Sequence, residues 1–353
     1  MLDSMNTFFN STTNFIIYLS CGSVSLVVVV LYFYFFYPQQ SMPKGVLIEI
    51  KTPNFKKYRN DCLHPCIRFI PSGFLGHNWW MVQSPYYGQN SKIENPILYY
   101  SDDSINWIPV AVVRETPIKG YNSDPNLFYE DGKLWIFWRE CFTPLGDSID
   151  SLMATVGVWT LDGKAFSEPQ VFLSHKEPNQ DTEQSPILIK REGRYLFYAV
   201  HYQYEPERKN LGIAIWEGSS LTNPDFYLRE VTKLPIIYTC DKFKQLKISK
   251  YLFFIPKPLK HDVWHFDLVE HDNKLYMLSV AEWGDNIMLS IADDYKHFKT
   301  MQKPLVNTHY SNQQYLYKPT GFIQNKVLVL YYTARNNLDK NANQLFLTTN
   351  NFL

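Results

Sequence analysis

Charge gives this sequence almost no direction. Its 34 Lys and Arg are balanced by 34 Asp and Glu, and neither sign gathers into a block. A nucleic-acid partner needs a positive footprint, so none is expected. Cysteine is also scarce: Cys21, Cys62, Cys66, Cys141 and Cys240. Cys62 and Cys66 lie close together, but no second pair at metal spacing accompanies them. They read as small buried residues, and neither a zinc site nor a disulfide follows from them. No ligand cluster calls for a metal or another cofactor. The Gly-His and Trp-Asp signatures of WD-repeat scaffolds are missing too, which puts a pure protein-interaction ring last among the functional classes. Aromatic residues, by contrast, are abundant. The 25 Tyr, 24 Phe and 9 Trp make up 16% of the chain, a composition that favours strands and carbohydrate-facing surfaces.

Near the N-terminus, Asn14 to Tyr37 reads NFIIYLSCGSVSLVVVVLYFYFFY without a single charge. At ~1.5 Å per residue this run covers a hydrocarbon core of ~30 Å. Its far end is an aromatic belt, and Pro38 stops the helix. No basic segment precedes it and no small-x-small site follows, so an anchor is expected rather than a cleaved leader. The expected organisation is a tail (1–13), a transmembrane helix (14–37), a linker (38–44) and one large domain (45–353), hence a single-pass membrane protein. Lys44, Lys51, Lys56 and Lys57 follow the helix and would place the domain on the cytoplasmic side, but they also belong to the folded domain. The side is therefore left open.

Beyond the linker one pattern recurs five times. Each unit opens with an apolar strand often introduced by X-Pro, turns at Asp/Asn/Gly-Lys, and continues with an aromatic strand and a third β-rich strand. The openings fall at His64-Pro65, Asp124-Pro125, Ser185-Pro186, His265-Phe266 and about Lys318-Pro319. Glu130-Asp131-Gly132-Lys133, Arg191-Glu192-Gly193-Arg194, His271-Asp272-Asn273-Lys274 and Gln324-Asn325-Lys326 are two-residue hairpin signals between apolar runs. Repeats of three to four strands predict an all-β fold, a five-bladed β-propeller. The last unit is one strand short, and Gly45 to Ile50 is the expected donor that closes the ring and removes an open edge.

With these blades the sequence resembles the five-bladed propeller glycoside hydrolases, chiefly the arabinanase and xylosidase group. The invertase and agarobiose hydrolase groups are looser matches. Asp124-Pro125-Asn126-Leu127-Phe128 before Asp131-Gly132-Lys133-Leu134-Trp135 carries the resemblance. So do Glu183-Gln184-Ser185-Pro186 before Arg194-Tyr195-Leu196-Phe197-Tyr198, and Ser101 to Trp107. The resemblance implies a funnel in which strand-start residues converge. There, one carboxyl acts as acid and another as base, ~6.5–9.5 Å apart for an inverting enzyme. In that family blade one gives a base Asp, blade two a pKa-tuning Asp and blade three an acid Glu. Asp124 falls on the tuning position. Glu183 lies near the acid position, but three residues before its proline, with Gln184 in the expected slot. Blade one offers His64 where the base belongs. His265 titrates in the range suited to acid–base work, and the agarobiose hydrolase group is similar in using an imidazole there.

The expected catalytic set is therefore Asp124, Glu183, His64 and His265. The expected sugar contacts are Glu94, Arg139, Glu140, His201, Trp264, Asp267, Glu282, Lys318 and Arg335, from strand ends around the ring. Lys318, Arg139 and Arg335 hint at an anionic sugar. Plainer readings stand beside these: Asp124 as a turn cap before Pro125, Asp267 as an orienting group for His265, and Glu94 as the start of a strand. The expected function is a membrane-anchored glycoside hydrolase acting on a glycan or polysaccharide by carboxylate/imidazole chemistry. Its alternative is an inactive carbohydrate-binding or polysaccharide-assembly factor on the same frame.

Overall fold

The computed structural model describes residues 48–50, 58, 61–116, 120–142, 152–174, 182–203, 209–233, 237–248, 251–259, 263–281, 284–301, 304–308, 315–335 and 341–351. The expected tail, transmembrane helix and linker (1–13, 14–37, 38–44) lie outside these residues. Among the described residues no helix is long and apolar enough to cross a membrane. Lys44–Leu353 forms one compact unit.

That unit is a ring of five antiparallel sheets. A short strand β1 (Ile48–Ile50) is followed by blade one, with β2 (Cys66–Phe74), β3 (His77–Gln83), β4 (Ile97–Ser101) and β5 (Ile108–Val112). Blade two holds β6 (Gly120–Glu130), β7 (Lys133–Phe142), β8 (Leu152–Thr160) and β9 (Gln170–Ser174). Blade three holds β10 (Thr182–Arg191), β11 (Arg194–Gln203), β12 (Lys209–Gly218) and β13 (Tyr227–Thr232). A separate hairpin, β14 (Ile237–Ile248) with β15 (Tyr251–Leu259), follows; it accounts for the wide spacing between the third and fourth unit openings. Blade four holds β16 (Phe266–His271), β17 (Lys274–Ala281) and β18 (Asn286–Ala292), with β19 (Lys299–Thr300) and β20 (Val306–Asn307) sharing its outer edge. Blade five holds β21 (Leu316–Gln324), β22 (Val327–Arg335) and β23 (Asn343–Asn351). The expected closure is present: β1 adds antiparallel to β23, with Ile48, Glu49 and Ile50 opposite Leu347, Phe346 and Leu345.

The first two strands of every blade are joined by the same turn. Asp131-Gly132, Glu192-Gly193, Asp272-Asn273 and Asn325-Lys326 all have positive φ at both central residues. That backbone suits the right-handed twist of a hairpin. Blade one makes this turn at Leu75-Gly76, where the sequence carries no Asn or Asp to announce it. Between sheets, apolar faces pack blade to blade. Phe137, Phe172, Phe197 and Phe226 meet mostly edge to face between blades two and three, at centroid separations of 5.0–5.9 Å. Gly157 leaves room for Phe137; a Cβ there would lie 2.5 Å from its ring.

The inner strands β2, β6, β10, β16 and β21 adjoin in that cyclic order around the axis. One correction bears on the site. Asp124, Ser185 and Lys318 do not open their strands but sit inside them, where the ladder skips: between Ser123 and Asn126, Gln184 and Ile187, and Leu316 and Pro319. Proline has no N–H to give a ladder, so X-Pro is tolerated where a bulge turns the strand. Asp124 and Ser185 reach φ of 53° and 52° there. For non-glycine residues this backbone costs on the order of 1–3 kcal/mol and aims a side chain toward the axis.

Residues just after these steps stitch the ring. Leu127 N–H and Asn126 Nδ2 donate to Cys66 Sγ (3.3 and 3.2 Å), Leu188 N–H donates to Asn126 Oδ1 (3.4 Å), and Ile67 N–H donates to Thr320 Oγ1 (3.0 Å). Cys62, Cys66 and Cys141 are buried free thiols, as their spacing suggested. Asp61, fully buried, ties the entry of blade one to blade five. It accepts from Asn343 N–H (2.5 Å), Asn343 Nδ2 (3.1 Å) and Tyr86 N–H. Asp61→Ala leaves buried donors without their acceptor and is expected to lower stability by about 2 kcal/mol. Urea unfolding checks this; an unchanged midpoint would show that the clamp contributes nothing to closure.

Candidate functional site

Five equivalent positions, one per blade, carry His64, Asp124, Ser185, His265 and Lys318. The fold turns all five to the axis, and three of them meet around the carboxylate of a fourth, Asp124. Asp124 Oδ1 lies 3.0 Å from His265 Nδ1 and 3.5 Å from His64 Nε2, and accepts from Ser185 Oγ at 3.2 Å. Oδ2 faces Arg139 Nη2 at 3.2 Å and Ser123 Oγ at 3.4 Å. The fifth residue, Lys318, is buried beneath and donates to Pro125 O at 3.2 Å. Tyr317 OH closes the group, 2.7 Å from His265 Nε2.

Residues of the same blades hold these groups: Ser84 just after β3, Glu94 in the loop before β4, and Arg139 on β7. Ser84 Oγ lies 3.0 Å from His64 Nδ1, and Glu94 Oε1 lies 3.4 Å from the same nitrogen. Arg139 donates to Ser123 Oγ through Nη2 (2.7 Å) and Nε (3.2 Å). His64 and Asp124 are thus each held by a neighbour from their own blade and by one from another, whereas the partners of His265, Ser185 and Lys318 come from other blades.

The electrostatics divide the titratable groups. Burial would push the Asp124 carboxyl up, but Arg139, then His265 and His64, outweigh it and hold it well below the usual carboxylate range. Burial pushes Glu94 well above its usual value, with Arg139 working against that rise. Burial lowers both imidazoles, His64 strongly, against the pull of Asp124. It also lowers Lys318 and raises Tyr317. One carboxyl is pushed toward its charged form and its neighbour toward its protonated form. Such separation by environment is how a site obtains an acid and an anion from the same chemistry.

The remaining expected residues are spread more widely. Glu183 is buried in blade three, held by His201 Nδ1 at 3.0 Å and by Trp216 Nε1 at 3.2 Å. Asp267 is fully buried and receives Arg68 through both oxygens (2.7 and 2.8 Å), Thr320 Oγ1 (2.5 Å) and Leu268 N–H (2.8 Å). With these partners it acts as a strut joining blades four, one and five. Glu140 accepts from Trp138 Nε1 at 3.2 Å and lies 3.8 Å from Arg114. Half-buried Trp264 meets Tyr202 edge-on at 5.4 Å and lies 5.9 Å from the His265 ring. The Arg335 guanidinium lies 5.9 Å from the Tyr315 ring. Glu282 lies outside the described residues.

Ser84, Ser123, Ser185 and Tyr317 were not foreseen. Aligning the five unit openings, four of them X-Pro, would have flagged Ser185; the others carry no spacing signal. Nor was a ligand cluster foreseen. Among the described residues, His64, Asp124 and His265 place ligand-type atoms within 4.8 Å of one another. They come from positions 60 and 141 residues apart (64 to 124, 124 to 265), so no local motif reveals them.

No protein-family model matches the sequence, and no curated protein matches it. Solved structures do. An N-acetylgalactosamine deacetylase from F. plautii, in complex with blood group B trisaccharide, aligns with a TM-score of 0.62 at 12% identity, covering 88% of this chain and 94% of that one. The chain shares the five-bladed propeller fold of these structures. A GH43 endo-arabinanase from Bacillus licheniformis aligns at TM-score 0.52 and 14% identity (86% and 96% covered). A xylan β-1,4-xylosidase from Bacillus halodurans aligns at 0.55 and 16%, where the chain spans about half of its length (85% and 54% covered). At these identities the likeness is one of fold.

Asp124→Ala would strand the Arg139 guanidinium in the interior, and is expected to cost about 3–5 kcal/mol. Adding Arg139→Met should recover a substantial part of that loss in urea unfolding. Strictly additive losses would mean the two charges are not coupled.

Proposed function

We propose that this chain is a glycan-acting hydrolase, anchored in a membrane by residues 14–37, whose working centre is Asp124, His64, His265 and Glu94. The observation that carries the reading is the convergence of strand residues from different blades on one buried carboxylate, with the buried Glu94 carboxyl close by. The solved structures of the same fold include a deacetylase holding a trisaccharide, an arabinanase and a xylosidase, which supports a sugar ligand.

In this reading Glu94 is the proton donor to the leaving oxygen, since burial raises its carboxyl and favours the protonated form. A neutral imidazole accepts the proton of the attacking water, and Asp124 orients that ring and stabilises the charge it gains. Trp264 and Tyr317 offer ring surfaces for a sugar face beside the centre. The chemistry is close to the expected carboxylate/imidazole scheme, with Glu94 rather than Glu183 as the acid. A panel of glycans offered to the full-length chain in detergent is expected to show turnover of at least one. Glu94→Gln and Asp124→Asn should each lower it by about 10²–10⁴-fold, while Asp131→Asn on an exposed turn leaves it unchanged. No turnover on any glycan by folded protein would remove this reading.

One observation favours a second reading, a carbohydrate-binding or assembly protein without turnover. Glu183, near the family's acid position, is tied to His201 and Trp216. Glycan binding without product would select it. The anchor has its own test: the full chain is expected to stay with membranes through an alkaline carbonate wash, and a chain lacking 14–37 to be released. Release of both would exclude the anchor.

A further inference from the structure

We propose that His64 Nε2, Asp124 Oδ1 and His265 Nδ1 form a binding site for a divalent transition-metal cation of the imidazole-preferring kind, such as zinc. This goes beyond the hydrolase reading and does not depend on the substrate being a glycan.

The donor geometry is the first argument. Ligand atoms ~2.1 Å from a metal lie roughly 3.0–3.4 Å apart, from octahedral to tetrahedral arrangements. Asp124 Oδ1 is 3.0 Å from His265 Nδ1 and 3.5 Å from His64 Nε2. All three atoms lie within 4.8 Å of one another, and the two rings are tilted by 53° with centroids 4.9 Å apart. Two imidazoles and one carboxylate make a three-ligand face that leaves coordination positions open for water.

The second argument is independent of that geometry. His64 Nε2 is buried and has no hydrogen-bond partner, although it faces a carboxylate oxygen at 3.5 Å. With its proton on Nδ1, toward Ser84 Oγ, His64 presents a lone pair to that carboxylate, an arrangement that favours a positive occupant between the two atoms. The outer atoms of the triad are already committed, as they are around metal sites. His64 Nδ1 meets Ser84 Oγ and Glu94, His265 Nε2 meets Tyr317 OH, and Asp124 Oδ2 meets Arg139. These partners fix ring orientation and leave the inward lone pairs for a ligand. Ser185 Oγ, 2.6 Å from His265 Nδ1 and 3.2 Å from Asp124 Oδ1, would give up those hydrogen bonds on loading.

Charge selects the metal. Arg139 offsets Asp124, and Lys318 lies close by, so the site carries little of the negative charge that calcium or magnesium requires. Neutral imidazole nitrogens suit zinc, nickel, copper or iron instead. A loaded cation would occupy both lone pairs, and activation of water would pass from the rings to the metal.

Metal analysis of the untagged full-length chain, stripped with chelator and reloaded with zinc, cobalt or calcium, tests the site without any substrate. The expected result is about one equivalent of zinc, a visible d–d absorption in the cobalt form, and no calcium. Glu183→Gln should bind as wild type, and His265→Ala should weaken binding at least tenfold. Should His265→Ala misfold, the wild-type cobalt spectrum and a zinc-dependent rise in unfolding temperature decide alone. Absence of both, or equal zinc uptake by a folded His64→Ala/His265→Ala variant, overturns the proposal; a proton on His64 would then be the positive occupant.

Discussion

A carboxylate without water must find positive or donating partners elsewhere, and nearly everything at the centre of this ring answers that need. Asp124 is fully buried, and Arg139, two imidazoles and two hydroxyls surround it. The cost of burying this charge is large, and only a constellation drawn from several blades offsets it. The propeller supplies that constellation because its repeats place equivalent strand positions on one axis. The same requirement explains why a left-handed backbone conformation at Asp124 is tolerated: the strained step delivers the carboxylate to the place where its partners are.

Two layers follow from one device. At the X position before proline, side chains face the axis and make the polar centre. Two residues later, Cys66, Asn126, Asp267 and Thr320 accept hydrogen bonds that bind neighbouring inner strands or brace them. Blade three breaks the pattern with Ile187, which cannot accept, and in blade four Leu268 N–H turns to its own Asp267 instead. Arg68 then reaches from blade one to that carboxylate. The charged strut and the polar centre are thus adjacent consequences of one repeated step, and a single residue separates one layer from the other.

Much of this was legible in the sequence for physical reasons. Two-residue turns between apolar runs leave a strong local signature, and four of the five hairpins carried it; Leu75-Gly76 did not, because only its glycine is a turn residue. The missing strand of the last unit pointed to its donor, since a ring cannot leave an edge open. The openings at His64, Asp124 and His265 marked the residues that meet. Glu94 was visible only as a loop residue before a strand, and its contact with His64 depends on how the loop packs. Ser84 and Tyr317 were hidden because their roles come from cross-strand register and from a ladder skip near Lys318, neither of which has a local sequence pattern. The metal-like arrangement was hidden because its three members are far apart in the chain.

The account rests on Asp124 organising both imidazoles at once. Nitrogen NMR of the full chain labelled in histidine reads this directly, since each ring nitrogen reports its own protonation and ligation. The resonances of His64 and His265 should both shift when Asp124→Asn removes the charge, while exposed His297 stays where it was. If either ring is indifferent to that substitution, Asp124 is a buried ion pair of the propeller and not the hub of a reactive centre.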